Sequence, residues 1–364
     1  MRAFLSPLFA TLCLVAAPVD LSAGEPEWPF HADKLMPDET VLFSSDVNPR
    51  SATLLFMPTR IRSVISADGT KTFEEGRDYT VDLGRGVLSL PVGSRIPCPL
   101  LYGGEGKDYG RFRNRDGKPM LFGEGDLFHS LQVRIAYDHT GDGWTDRPFV
   151  PQIRSGMFPE LHRIRKAKGE LRLALCGDSI SVGYNASGFV GAKPNSPPFG
   201  EQVAAALREG GGVEFRNISQ AGATGGWGVN QLKQLNGFNP ELVIIAFGMN
   251  DGRKPGKSGA YEKSIRAMVD GLRQHNPKVE IVLVANMLPN EEFSPHCGHL
   301  ENRDALTRIA GDTDRVAVAD VMSVTQVMLE RKKFADICGN HLNHPNDFIH
   351  RLYASVILRT LGVE

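Results

Sequence analysis

Four short motifs in the second half of the sequence contain residue types that together could cleave an ester. Ser179 stands in Gly-Asp-Ser-Ile, Gly222 follows Ser-Gln-Ala, Asn250 stands in Gly-Met-Asn-Asp, and His344 begins His-Pro-Asn-Asp. A serine hydroxyl becomes a nucleophile when a histidine accepts its proton. Backbone amides and a carboxamide can then hold the oxyanion that forms on the attacked carbonyl. We therefore predict Ser179 as the nucleophile and His344 as the general base. The predicted oxyanion hole consists of the amides of Ser179 and Gly222 and the side chain of Asn250.

Each motif also has a purely structural interpretation. A serine or an asparagine often caps a helix, a glycine after a strand often forms a tight turn, and a histidine can bond to its own loop. The motifs nevertheless occur in one order along the chain, three of them directly after apolar runs and the fourth just before the last helical pattern. Their joint placement favours the catalytic interpretation.

The apolar runs that precede these motifs predict a parallel sheet. They alternate with helical patterns, such as Phe199, Val203 and Leu207 at a spacing of four residues, and they lie at 171–176, 213–218, 242–247, 280–287 and 316–321. Strands that read as continuous apolar runs and alternate with helices indicate a sheet covered on both faces. Ligands of such sheets bind outside the carboxyl ends of the strands, where the motifs lie. The predicted fold is a three-layer α/β/α domain over residues 156–364.

At this point the sequence resembles the SGNH (GDSL-type) hydrolases. Gly-Asp-Ser-Ile, a glycine after the second strand, Gly-Met-Asn-Asp and a late His-Pro match the four signature blocks of that family, over about residues 170–364. The resemblance implies the same roles for Ser179, Gly222, Asn250 and His344. It also implies ester hydrolysis through an acyl-enzyme, with no metal and no cofactor.

One position departs from the family pattern. The family usually has an aspartate three residues before the histidine, whereas this chain has His341 there. Either a backbone carbonyl orients His344 and the site is a Ser-His dyad, or another acid takes the place of the aspartate. Asp347 and Asp336 are near in sequence, and Asp320 ends the last predicted strand.

Residues 24–155 have a different rhythm, which predicts a β-sandwich. Short apolar or alternating runs at 53–57, 61–65, 79–83, 87–90 and 131–137 are separated by turn residues every 8 to 12 positions, with no long helical period. The arrangement is similar to carbohydrate esterases that place a jelly-roll domain before the SGNH domain.

The first 23 residues are typical of a secretory signal peptide. A single charge at Arg2 precedes an apolar stretch, and small residues at Ser22 and Ala23 precede a polar segment. The apolar stretch is short for a membrane span, although an uncleaved anchor is the alternative. We expect a periplasmic or secreted protein with no stable membrane insertion. The formal net charge of -1 argues against binding of nucleic acid through a basic surface.

Four cysteines remain after residue 23. They are Cys98, Cys176, Cys297 and Cys338, and Cys176 lies in an apolar run and is interpreted as a buried free thiol. Cys297 and Cys338 flank polar loops, and a disulfide between them is the favoured interpretation for an exported protein. Unpaired thiols come second, and a zinc site with the neighbouring histidines comes third.

Two further residues are candidates for substrate binding. Trp227 lies in a glycine-rich segment after Gly222 and could stack on a sugar ring, although a core tryptophan is an equal alternative. Asn185 follows the Ser179 motif and could line the pocket. We expect the substrate to be an acylated polysaccharide or oligosaccharide, most simply an acetyl ester. The alternatives are a lipid or thioester hydrolase on the same fold and a non-catalytic carbohydrate-binding protein.

Overall fold

A computed structural model of the chain describes residues 34–48, 50–141, 149–253 and 256–363. The predicted signal peptide, residues 1–23, lies outside the described residues. Within them, no helix is both long enough and apolar enough to cross a membrane. Below, the N-terminal region means the described residues up to 155, and the C-terminal region means those from 156 onward.

The C-terminal region is built around a five-stranded parallel sheet. Its strands lie in the order β11-β10-β9-β7-β8, so the strand that leads to Ser179 has a neighbour on each side. The bounds are β7 Glu170–Gly177, β8 Gly212–Asn217, β9 Leu242–Ala246, β10 Glu280–Ala285 and β11 Val316–Asp320. All five predicted strand positions are confirmed, and with them the α/β class of the fold.

Helices cover both faces of this sheet. Alternate strand residues enter two separate apolar clusters, with Leu173 and Leu175 in one and Ala174 and Cys176 in the other, because successive strand side chains point to opposite faces. The α-helices among the described residues are α1 Leu127–Leu131, α2 Pro159–Lys166, α3 Ser179–Val182, α4 Ser187–Val190, α5 Phe199–Arg208, α6 Gly225–Val229, α7 Leu232–Phe238, α8 Ser258–His275, α9 Cys297–Asp312, α10 Val321–Leu329, α11 Phe334–Ile337 and α12 Asp347–Leu361. Single 3₁₀ turns occupy Ser155–Met157 and Asp251–Arg253.

The N-terminal region contains two antiparallel sheets of three strands each. One has the order β1-β6-β3 and the other β2-β5-β4. The bounds are β1 Leu35–Val41, β2 Ser51–Thr53, β3 Pro58–Ser66, β4 Thr80–Asp82, β5 Val87–Ser89 and β6 Val133–His139. The antiparallel β structure agrees with the sequence. The jelly-roll connectivity and the division into domains at residue 155 remain predictions.

The two regions share one apolar cluster. It runs from Met36 of β1 through both antiparallel sheets to α12 and one face of the parallel sheet. Buried polar groups also cross the junction. The ammonium of Lys332, whose side chain is fully buried, is paired with the equally buried carboxylate of Glu39. The amide of Leu42 donates to Asp336 Oδ1 at 2.7 Å. The junction is therefore a packed interior, which allows the N-terminal region to hold residues at fixed positions beside the C-terminal region.

The predicted disulfide between Cys297 and Cys338 is wrong, because both cysteines are free. Cys338 is buried, and its Sγ lies 3.1 Å from the carbonyl oxygen of His344, to which it donates. Cys297 is exposed at the start of α9. Cys176 is a buried free thiol, as predicted. No group of three or more metal-ligating side chains occurs in the part of the chain that the structure describes.

Candidate active site

Ser179 lies at the turn between β7 and α3. The side chain of Asp178 caps α3 by accepting a hydrogen bond from the amide of Ile180 at 3.0 Å, so Ser179 is the first helical residue. Amides in the first turn of a helix have no partner within the helix. A Cβ atom at Gly177 would come within 2.5 Å of the Ala246 carbonyl oxygen, so only glycine lets the strand approach β9 this closely before the turn.

His344 contacts the serine hydroxyl directly. Its Nε2 lies 2.9 Å from Ser179 Oγ, and both residues are buried. The loop that carries His344 is held by Asn340, whose Oδ1 accepts hydrogen bonds from the amides of Leu342, Asn343 and His344 at 2.9–3.1 Å. The structure thus brings together the two residues that the sequence predicts as nucleophile and base.

Besides the Ser179 amide at the start of α3, the predicted oxyanion donors Gly222 and Asn250 lie on two loops that contact each other. The loop after β8 is fixed beside the end of β7 by a bond from the Gln220 amide to the Gly177 carbonyl at 3.1 Å. Gly222 on this loop is exposed and has a φ of 76°, a left-handed conformation that favours glycine. Asn250 Nδ2 donates to the Ala223 carbonyl at 2.9 Å, which holds its amide next to the same loop.

Asp178 of the serine motif is fully buried, and no cationic side chain pairs with it among the described residues. Burial raises the pKa of its carboxyl to about 7, with a smaller contribution from the nearby Asp251, against the hydrogen bond from the Ile180 amide. The carboxyl therefore carries a proton over much of the pH range in which a solvent-exposed aspartate is ionised. Its role is to cap α3 rather than to exchange protons with a substrate.

The other ring nitrogen of His344 faces a polar group from each of three segments. Nδ1 lies 3.0 Å from Glu124 Oε2, 3.0 Å from Asn185 Oδ1 and 3.0 Å from Asn340 Nδ2. Glu124 belongs to the N-terminal region and follows β5, 220 residues before the histidine. Its side chain is 39% exposed, so the carboxylate reaches His344 from the solvent side.

None of the three aspartates predicted as a possible third member contacts His344. Asp347 Oδ1 accepts from the Ser187 amide at 2.7 Å. Asp336 accepts from the amides of Leu42 and Lys333 at the junction of the regions. Asp320 caps α10 and pairs with Arg303 at 2.6 Å. Each carboxylate already has structural partners elsewhere, so the prediction that one of these aspartates is the third member of the site is wrong.

His341 occupies the position where the family has its aspartate, but it acts as a structural residue. It is buried, its Nδ1 bonds to the Leu121 carbonyl at 3.1 Å, and its Nε2 lies 3.2 Å from the hydroxyl of Tyr102. Burial lowers the pKa of His341 to about 4, so the ring is neutral at neutral pH. Since both partners belong to the N-terminal region, His341 ties that region to the histidine loop.

The structure changes the interpretation of the two predicted substrate-binding residues. Asn185 is buried, and its Nδ2 donates to the carbonyls of Gly125 and Gly339 at 3.1 and 3.0 Å while its Oδ1 faces His344. It therefore supports the histidine instead of lining an open pocket. Trp227 is half-buried against the core and meets Phe247 edge-on, with ring centroids 6.3 Å apart. Its predicted contact with a sugar stays a prediction.

Sequence reasoning missed two residues that contact His344, namely Tyr184 and Glu124. Tyr184 packs edge-on against the imidazole at 5.1 Å between ring centroids, and it stacks on Phe189 at 5.0 Å. Phe189 is 45% exposed. Tyr184 could have been predicted to lie near the site, because it follows Ser179 by only five residues. Glu124 offered almost none, because only the fold brings its loop to the histidine.

Residues 175–352 match the model of the GDSL-like Lipase/Acylhydrolase family. No curated protein sequence matches the chain. A two-domain esterase (CEX) active on acetylated mannans, co-crystallised with mannopentaose, is 22% identical at a TM-score of 0.47, covering 58% of this chain and 54% of its own. This chain thus matches about half the length of that esterase.

Two further solved structures are similar over about half of this chain. A carbohydrate esterase family 3 protein from Talaromyces cellulolyticus is 16% identical at a TM-score of 0.41, covering 51% of this chain and 94% of its own. The lipase Lip_vut3 from a goat rumen metagenome is 15% identical at a TM-score of 0.42, with coverage of 53% and 98%.

Proposed function

We propose that this chain, whose residues 175–352 match the model of the GDSL-like Lipase/Acylhydrolase family, is a serine carboxylic ester hydrolase that works through an acyl-enzyme. The observation that carries the proposal is the 2.9 Å contact between Ser179 Oγ and His344 Nε2 at the carboxyl end of a central parallel strand. A nucleophile and its base within hydrogen-bond reach, beside loops that can hold an oxyanion, are the parts that acyl transfer requires.

In the first half-reaction, Ser179 Oγ attacks the ester carbonyl carbon and its proton passes to His344 Nε2. The carbonyl oxygen becomes an oxyanion, and the amides of Ser179 and Gly222 and the carboxamide of Asn250 are the donors that stabilise it. The bond to the alcohol oxygen then breaks. His344 returns the proton to the departing alkoxide, which leaves as the alcohol.

In the second half-reaction, water takes the place of the alcohol. Water gives a proton to His344 Nε2 as its oxygen attacks the acyl-enzyme, and the same donors hold the second oxyanion. Cleavage of the bond to Ser179 Oγ, with return of the proton, frees the carboxylic acid.

We propose an acyl ester of a carbohydrate, most simply an acetyl ester, as the substrate. The exposed face of Phe189, stacked on Tyr184 beside His344, is an aromatic surface on which the C–H groups of a sugar ring can pack. The side chains of Glu124 and Asn340, which contact Nδ1 of the imidazole, are polar. A small acyl group on a hydroxylated alcohol suits such surroundings better than a long apolar chain does.

Acetate release from acetylated xylan and from 4-nitrophenyl acetate tests both parts of the proposal. We expect the wild type to cleave both substrates and Ser179→Ala to cleave neither. Ser181→Ala is the matched control, because Ser181 is buried two residues away and its hydroxyl has no hydrogen-bond partner among the described residues. Ser181→Ala should keep the wild-type rate.

Three outcomes would redirect the proposal. Serine-dependent cleavage of long-chain acyl esters or thioesters in preference to acetyl esters would indicate a lipid or thioester hydrolase. Failure of a fluorophosphonate to label Ser179 would favour a binding protein. Equal loss of activity in Ser181→Ala would show that the turn, rather than the hydroxyl of Ser179, is at fault.

The predicted export is also part of the proposal. If residues 1–23 are removed during secretion, the protein recovered from the periplasm or the culture medium starts near Gly24. N-terminal sequencing of that material gives the answer. Recovery of a full-length chain only from the cell interior would contradict it.

A further inference from the structure

The protonation of His344 requires an acceptor at its outer ring nitrogen. If Nε2 takes the serine proton, then Nδ1 carries the hydrogen in the resting ring and must donate it. Of the three groups 3.0 Å from Nδ1, Asn340 offers an N–H and cannot accept. The remaining acceptors are Glu124 Oε2 and Asn185 Oδ1.

The two acceptors differ in charge. When His344 has taken the serine proton, the ring is an imidazolium. A carboxylate stabilises this cation by attraction as well as by a hydrogen bond, and charge-assisted hydrogen bonds are roughly twice as strong as neutral ones. Asn185 can hold the orientation of the ring, but it carries no charge to match the one that forms. Glu124 is therefore the group that favours the reacting state over the resting state.

The segment that carries Glu124 is fastened to the C-terminal region at several points. Asn340 Nδ2 donates to Glu124 Oε1 at 3.2 Å, and Asn185 Nδ2 donates to the next carbonyl, that of Gly125, at 3.1 Å. His341 bonds to the Leu121 carbonyl at 3.1 Å. Thus the residue that stands in place of the usual aspartate fixes the segment on which another carboxylate reaches the histidine.

Apolar packing also holds the segment that carries Glu124. Phe122 shares a small buried cluster with Leu342, which lies two residues before His344.

Burial opposes the ionisation of Glu124, yet the hydrogen bond from His344, the attraction of that ring and the bond from Asn340 together hold the pKa of the carboxyl below its ordinary value. Glu124 is consequently a carboxylate at neutral pH.

We propose that Glu124 is the positioning residue that orients His344 and stabilises its protonated form, so that the active site is assembled from both regions of the chain. This rests on the proposed ester hydrolysis. The N-terminal region then contributes to turnover itself and not only to the binding of substrate. The chain is a Ser-His-Glu enzyme whose acid lies before the nucleophile in sequence.

The test compares Glu124→Gln, Glu124→Asp and Glu124→Ala in the full chain, with 4-nitrophenyl acetate as the substrate. We expect kcat of Glu124→Gln to fall about 100-fold or more with little change in KM, since loss of the triad acid costs up to about 10,000-fold when the ring has no other support and Asn185 still supplies some. Glu124→Asp should recover part of that loss because it restores the charge. Asp126→Asn is the matched control, because it removes the same charge from an exposed position two residues along the segment.

Chemical rescue separates positioning from a structural role. Because the side chain of Glu124 reaches solvent, Glu124→Ala leaves a space that formate can enter. We expect added formate to raise kcat of Glu124→Ala at least 5-fold and to leave Asp126→Asn unchanged. A merely structural residue would show no such rescue and would change the unfolding midpoint instead.

The outcomes also separate this proposal from the one on which it rests. If Ser179→Ala abolishes turnover while Glu124→Gln keeps kcat within threefold of the wild type, the serine mechanism stands and the role of Glu124 is overturned. If Ser179→Ala remains active, the ester hydrolase itself fails. A loss in Glu124→Gln that appears in KM alone would also overturn the positioning role.

Discussion

Replacement of Lys332 by methionine should lower the free energy of unfolding by about 3 kcal/mol, the lower end of the range for breaking a buried ion pair. The lysine side chain is fully buried where the two regions meet, paired with Glu39 and 3.7 Å from Asp336. Methionine has nearly the same length, so the change removes the charge without opening a large cavity. The cost comes from the carboxylate of Glu39, which stays buried without its cation.

The expected magnitude follows from what Glu39 keeps. Its oxygens still accept the Leu55 amide at 3.0 and 3.1 Å and the Tyr137 hydroxyl at 2.5 Å. Removal of one partner from a buried pair typically costs about 3–5 kcal/mol. Since two donors remain on the carboxylate, the loss should lie near the lower value.

Urea unfolding at neutral pH, followed by circular dichroism, measures this loss. Lys333→Met is the matched control, because the half-buried Lys333 makes a hydrogen bond of 2.8 Å to the Ser51 carbonyl and should cost only about 1 kcal/mol. The double variant Glu39→Gln/Lys332→Met should recover at least half of the loss, since it leaves no unpaired charge on Glu39. A Lys332→Met protein no less stable than Lys333→Met would refute the reasoning.

Three further predictions concern the site and the thiols. Asn250→Ala should lower kcat for 4-nitrophenyl acetate about 100- to 1000-fold, the usual cost of one oxyanion donor, and a rate within threefold of the wild type would remove Asn250 from that role. The free energy of unfolding of the wild type, relative to that of Asp178→Asn, should fall as pH rises from about 4 to about 7. The reason is that folded Asp178, with its pKa raised to about 7, keeps a proton that the unfolded chain releases near pH 4. Urea midpoints that move in parallel for the two proteins across that pH range would contradict this prediction. A native-state thiol titration should label Cys297 first, since burial raises the pKa of both Cys176 and Cys338 to about 12, and an unchanged fast phase in Cys297→Ser would be evidence against it.

The parallel sheet could be predicted because its inner strands β9 and β10 are buried on both faces and read as nearly continuous apolar runs. The antiparallel strands were harder to delimit. The run at 53–57 predicts a strand, yet β2 ends at Thr53. Beyond it, the amides of Leu55 and Phe56 donate to the side chains of Glu39 and Tyr137 rather than to a neighbouring strand. A sequence pattern reports burial, but it does not report which group satisfies a buried amide.

The site residues of the C-terminal region could be predicted from the sequence, whereas the residue that the N-terminal region contributes could not. Ser179 and His344 follow from local motifs, and the structure brings them together. Glu124 stands in a glycine-rich loop of the other region, so only tertiary packing brings it to His344. The disulfide prediction failed for a local reason, since the thiol of Cys338 donates to the carbonyl of His344 within its own loop.

The ion pair between Asp38 of β1 and Arg351 of α12, which is 2.8 Å long, can form only after α12 has been synthesised. These residues are 313 positions apart. At ribosomal rates of about 5–20 residues per second, Asp38 emerges roughly 15 to 60 s before its partner is synthesised. Through that interval the apolar side of β1 lacks the helix that shares its cluster. A nascent chain stopped before α12 therefore leaves the apolar side of β1 exposed, and such exposed apolar surface makes an incomplete chain prone to aggregation.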